Sequence, residues 1–94
     1  MNEDEAERLL NDCRRKIDQL DIELREMLNS RAELARDIVR AKRVLGRPVH
    51  DPKREEQVLR HVTAANPGPL SAEAIERIFQ AVIRETRNHE AAAL

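Results

Sequence analysis

Residues 5–45 contain neither proline nor glycine, and within them apolar side chains return every seven positions. One column holds Leu10, Ile17, Leu24, Arg31, Ile38 and Leu45; the second holds Cys13, Leu20, Met27, Leu34 and Ala41. This is the a/d spacing of a helix that packs lengthwise against another helix. Some forty residues rising about 1.5 Å each make a rod of roughly 60 Å. A 94-residue chain has too little sequence left after residue 45 to cover such a rod. Much of the seam is therefore expected to bury against the equivalent rod of a second copy, which a chain this small also needs to bury enough surface.

The rest of the chain supplies two shorter helices. Residues 46–50 form a short reversal, and Asp51-Pro52 reads as a helix start: Asp51 caps the free N–H groups, and proline at the first helical position loses nothing. The second helix is expected over about 52–65, with Glu55, Val58, Leu59, Val62 and Ala64 or Ala65 facing inward. Asn66-Pro67-Gly68-Pro69 breaks the chain. Ser71 then caps a third helix over about 72–90, with Glu73 in its first turn. Its apolar stripe of Ile75, Ile78, Phe79, Val82 and Ile83 runs on into Thr86 and Glu90, and Ala91-Ala92-Ala93-Leu94 is expected to fray. The expected fold is all-α, three helices in one domain spanning residues 1–94.

Phe79 is the only aromatic residue, so the core must be aliphatic. Seventeen basic and 18 acidic residues give a net charge of −1, which argues against a general nucleic-acid binder but leaves room for a local basic pocket. Cys13 is the only cysteine, which excludes an internal disulfide and suits a reducing compartment. The acidic, polar beginning carries no secretory segment, and no apolar run is long enough to span a bilayer. A cytoplasmic protein without membrane contact is expected.

Against this background the inward-looking charges stand out. Arg31 interrupts a column otherwise made of leucine and isoleucine, where a cation is costly unless it is paired or faces a ligand. Lys42 lies 11 residues further on, about three turns, and points nearly the same way. Arg14 lies 17 residues before Arg31, roughly 25 Å along the rod, so the two cannot grip one small molecule from the same chain. Two antiparallel rods would bring Arg14 of one chain to Arg31 of the other. Glu55 and Glu90 complete a set of three cations and two carboxyl groups. The sequence offers no Ser–His–Asp or Cys–His arrangement, metal-ligand spacing or Gly-rich phosphate loop, and His50, His61 and His89 fall in loop or helix-surface settings. These charges suit a polar pocket within a helical bundle that takes a small dianion and acts by orientation and electrostatics, with no cofactor.

Four segments carry a resemblance: Arg14-Arg15-Lys16-Ile17-Asp18-Gln19-Leu20-Asp21; Arg31-Ala32-Glu33-Leu34-Ala35 with Ala41-Lys42; Arg47-Pro48-Val49-His50-Asp51-Pro52-Lys53-Arg54-Glu55; and Ile78-Phe79-Gln80-Ala81-Val82-Ile83. In this order and spacing, over roughly residues 8–90, the chain resembles the all-helical class of chorismate mutase. The resemblance implies an intertwined homodimer with two equivalent sites that rearranges chorismate to prephenate without a cofactor. It implies that Arg31, with Arg14 supplied in trans, holds the two carboxylates, and that Lys42 reaches the ether oxygen and a carboxylate. Glu55 and the backbone near Asp51 would take the ring hydroxyl, with Arg54 a more distant polar contact. Thr86 would stand near a carboxylate, and Ile38 and Ile83 would be apolar walls.

The resemblance also aligns Glu90 with a position where many relatives carry glutamine. Glutamate donates to a developing oxyanion only when protonated; nearby cations favour its ionised form, and burial favours the neutral one. The same fold and pocket resemble an isochorismate-pyruvate lyase, and a non-catalytic dimerisation or regulatory module, or a partner of another shikimate-pathway enzyme, would show the same heptads. Singly, each residue has an ordinary reading. Arg31 could fix coiled-coil register, Arg14 and Lys42 could be solvated, and Glu55 could be a first-turn acid. Thr86 could sit at the edge of a core, and Glu90 could be a solvated acid near a frayed end. The ordinary readings do not account for the convergence of these residues.

Overall fold

The computed structural model describes residues 1–92 and is all-α, with α1 (Glu3–Leu45), α2 (Pro52–Thr63) and α3 (Ala72–Ala92) and no strand among the described residues. The chain divides into two units, Met1–Arg31 and Ala32–Leu94.

The first unit is the beginning of α1. Asn2 caps it: its Oδ1 accepts from the Glu5 N–H at 2.8 Å, and its carbonyl accepts from the Ala6 N–H at 3.0 Å. Glu3, Asp4 and Glu5 lie in the first turn, where acidic side chains oppose the positive end of the helix dipole. With that cap the helix starts two residues earlier than expected. Local pairs line its surface, Arg15 with Asp12 and Gln19 with Glu23. Leu10, Ile17, Leu20, Leu24 and Met27 are all exposed in the single chain. Cys13, in the second heptad column, is exposed with them.

The second unit begins with the end of α1. Gly46 adopts φ +65°, its N–H bonds to the Arg43 carbonyl at 3.2 Å, and the Arg47 N–H reaches the Lys42 carbonyl at 2.9 Å. That pair of bonds is the Schellman stop, which favours glycine at the left-handed position. Lys42 and Arg43 occupy the last turn, where basic side chains suit the negative end of the dipole. Pro52 opens α2, and Asp51 is its cap. Ser71 caps α3, its Oγ accepting from the Ala74 N–H at 3.0 Å.

Helices α2 and α3 pack on each other. Val58, Leu59 and Val62 of α2 and Ile75, Phe79 and Val82 of α3 are half-buried. The most buried side chains are Val39 of α1 and Ile83 of α3, at 7% and 9% exposure. Ile78, expected on the inward face of α3, is exposed.

Helix α2 stops at Thr63, two residues short of the expected end. Thr63 Oγ1 donates back to the Leu59 carbonyl at 2.8 Å, Ala64 takes extended geometry, and Ala65 takes φ +53°. The chain thus leaves the helix before Asn66, which precedes a proline and is disfavoured in helical geometry. Asn66 then ties the break together, its Nδ2 donating to the Leu70 carbonyl at 2.7 Å. At the other end Ala91 and Ala92 are helical where fraying was expected; Ala93 and Leu94 lie outside the described residues. No helix among the described residues is long and apolar enough to cross a membrane.

Candidate functional site

The turn between α1 and α2 gathers several of the expected residues. The Schellman stop fixes the last turn of α1, and from it the Lys42 side chain crosses to the loop. Its Nζ donates to the Val49 carbonyl at 3.0 Å and lies 4.0 Å from Asp51 Oδ2. Lys42 is largely covered, with 20% of its side chain exposed. Asp51 serves two directions at once. Its Oδ1 and its carbonyl accept from the first turn of α2, from the Arg54 and Glu55 N–H groups at 3.1 Å each, while Oδ2 faces the lysine. Arg54 contributes that backbone N–H, and its side chain is exposed.

Glu55, one residue on, is held across the α2–α3 contact. Arg87 Nε donates to Oε2 at 3.2 Å, and Arg87 Nη2 donates to Oε1 at 2.5 Å. His50 Nε2 stands 3.8 Å from Oε2. Glu55 keeps 28% of its side chain exposed. On the same stripe of α3, Ile83 is buried and Thr86 is half-buried, with Thr86 Oγ1 donating to the Val82 carbonyl at 2.8 Å.

Glu90 is half-buried in a different setting. It lines a cavity of about 190 Å³ with Val39, Arg36, Arg40 and Arg43 of α1 and with His89. Arg36 donates to His89 Nε2 at 3.1 Å beside it, so this imidazole nitrogen accepts. Lys42 is not part of that lining. Ile38, on the heptad column, is exposed, while its neighbour Val39 is buried.

Arg14 and Arg31 both lie in the first unit, Arg14 exposed and Arg31 half-buried. The unbroken helix between them keeps the two Cα atoms roughly 25 Å apart.

The structure therefore brings together Lys42, Asp51 and Glu55 and adds Arg87, which the sequence reading passed over. A signal for Arg87 was present: positions 83, 86, 87 and 90 have the i, i+3, i+4, i+7 spacing of one helix face. His50 and the Arg36–His89 contact were also missed, since each depends on partners from another part of the fold. Among the described residues no group of three or more His, Cys, Asp or Glu side chains could hold a metal ion. The gathered groups can donate from an ammonium and accept at a carboxylate at one turn.

Residues 13–91 match the family model described as chorismate mutase type II. The chain is similar to a chorismate mutase from Thermus thermophilus in two solved forms. The first is 35% identical with a TM-score of 0.79, covering 82% of this chain and 96% of that one. The second is 34% identical with a TM-score of 0.83, covering 87% and 93%. It is also 39% identical over 79 residues to the bifunctional chorismate mutase/prephenate dehydratase of Pseudomonas aeruginosa, covering 79% of this chain and 22% of that protein. The chain thus spans about a fifth of the length of the curated relatives it matches.

Proposed function

The chain belongs to the type II chorismate mutase family, and from that premise we propose that it converts chorismate to prephenate by an intramolecular Claisen rearrangement. The ether C–O bond breaks as a C–C bond forms, and no atom enters or leaves. The enzyme's task is then to select the compact conformer of a dianion and to meet the charge that grows on the ether oxygen.

Lys42, Asp51 and Glu55 carry this reading. The backbone stop of α1 and the cap of α2 hold an ammonium and two carboxylates at one turn. In the proposed site Lys42 exchanges its bond to the Val49 carbonyl for the ether oxygen. Glu55 and the backbone at Asp51 take the ring hydroxyl, and Arg54 is a more distant polar contact. Thr86 stands by a carboxylate, Ile38 and Ile83 wall the ring, and Glu90, which lines a cavity apart from Lys42 in the single chain, is assigned the second contact to the ether oxygen on the family resemblance.

Arg31 and Arg14 from a second copy hold the two carboxylates. Two observations support the second copy. The heptad side chains are bare in the single chain, with Met27 61% and Leu34 64% exposed, and exposed apolar surface of this kind marks an interface. The helix between Arg14 and Arg31 is also too long for one chain to use both. The reading places a single chorismate mutase domain over residues 1–94 in the cytoplasm, with its product consumed by another enzyme of aromatic amino acid synthesis.

The purified protein is tested with chorismate and with isochorismate, beside Arg31→Ala. Prephenate from the wild type and a loss of about 100-fold or more in the variant is the expected result. Pyruvate and salicylate from isochorismate would make it a lyase on the same scaffold. No turnover of either by the folded protein would leave a dimerisation module.

A further inference from the structure

Arg87 is a side chain that the proposed reaction leaves without a task, although it makes a two-pronged contact with a carboxylate on another helix. Its Nε and Nη2 donate one to each oxygen of Glu55, at 3.2 and 2.5 Å, from a helix 32 residues away in sequence. A fork on a carboxylate fixes the plane of the acceptor as well as its position, which a lysine cannot do. Glu55 stands one turn from the Asp51 cap, and Arg87 stands one turn beyond Ile83, a core residue. The contact is thus anchored at both ends by packed helices. It also lies beside the lysine-bearing turn, with 28% of the Glu55 side chain and 48% of the Arg87 side chain exposed.

A carboxylate has about four lone-pair positions, and an arginine fork occupies two of them. The remaining pair is left in a fixed direction. An unheld glutamate would rotate about three bonds and accept a hydroxyl only after losing that freedom, so holding it beforehand lowers the cost of binding. Two of the five N–H groups of Arg87 are committed to Glu55, and they set the plane of the guanidinium. We infer that Arg87 is a positioning residue that aims Glu55 at the ring hydroxyl of the substrate, and that the Arg87–Glu55 pair makes the pocket discriminate in favour of a ring bearing that hydroxyl. This inference rests on the proposed role of Glu55 as the hydroxyl acceptor.

The test compares kcat/KM for chorismate and for its analogue lacking the ring hydroxyl. The proteins are the wild type, Arg87→Ala, Arg87→Lys, Glu55→Ala and the Arg87→Ala/Glu55→Ala double variant, each checked for helix content by circular dichroism. The expected preference for the hydroxylated substrate falls about tenfold in Arg87→Ala, as befits one hydrogen bond to a charged group. It falls to a similar level in Glu55→Ala and no further in the double variant, because the two residues act as one unit. Arg87→Lys keeps the charge without the fork and recovers only part of the preference, and turnover of the deoxy analogue stays within about twofold of wild type in both Arg87 variants. An unchanged preference in Arg87→Ala overturns the inference. Equal losses on both substrates overturn it too, since they would make Arg87 a direct grip on the carboxylates or a prop for the fold. A wild type that turns over neither substrate brings down the functional reading, and the inference with it.

Discussion

Gly46 shows how one backbone position serves the site. At φ +65° it closes α1 just where Lys42 must turn toward the loop, and a Cβ there would meet nothing within 4 Å. The cost of Gly46→Ala is therefore conformational strain alone, about 1 kcal/mol of stability in urea unfolding. Ala65 is the converse, a non-glycine residue at φ +53°. Ala65→Gly should stabilise the chain by roughly 0.5–1 kcal/mol, raising the melting temperature by a few degrees. The chemistry gives a third expectation. If Glu90 stands where a donor meets the ether oxygen, an amide there donates at every pH, so Glu90→Gln should keep or raise kcat for chorismate, whereas Glu90→Ala should lower it about tenfold or more. Equal kcat in the wild type and in Glu90→Ala would remove Glu90 from the proposed step.

At the scale of elements, what was legible in the sequence was whatever depends on neighbours along the chain. Asp51 and Ser71 announce their caps because the donors they satisfy lie three residues away. The length of α1 follows from the absence of any breaker, and the turn at Asn66–Pro69 from the presence of several. The end of α2 was misplaced because Ala64 and Ala65 are good helix formers by type; the departure is set by Asn66-Pro67 downstream and by the back-bonding of Thr63. Arg87 escaped notice for the opposite reason. Its meaning lies in Glu55, on another helix, and a single arginine on a charged helix surface looks solvated until the two helices are packed. The heptad face of α1 yields a prediction of its own. Leu20 and Met27 are exposed in the single chain, so a charge there costs the monomer little. In a dimer seam it is expensive: Leu20→Glu should weaken self-association by at least about tenfold, read by sedimentation equilibrium or light scattering. Equal association of the two proteins would mean that the heptads serve some other contact.

At the scale of the whole molecule, the proposed use of two arginines on α1 sets how many chains a site would need. Arg14 and Arg31 are locked on one unbroken helix roughly 25 Å apart, and a substrate with two carboxylates is far smaller than that. On the proposed reading a site uses both and must borrow one, and the activity then belongs to the pair of chains. Arg14→Ala and Arg31→Ala are each expected to be nearly inactive as pure dimers, because every site lacks one cation. When the two variants are unfolded together and refolded as a mixture, half of the dimers combine one chain of each kind. In such a dimer one site receives its own Arg31 and the intact Arg14 of the other chain, while the second site lacks both. One sound site in each mixed dimer gives about a quarter of the wild-type activity per chain, a recovery that follows from the two-fold symmetry of the assembly. If both arginines served a site within their own chain, every site in the mixture would still lack one of them, and mixing would recover nothing.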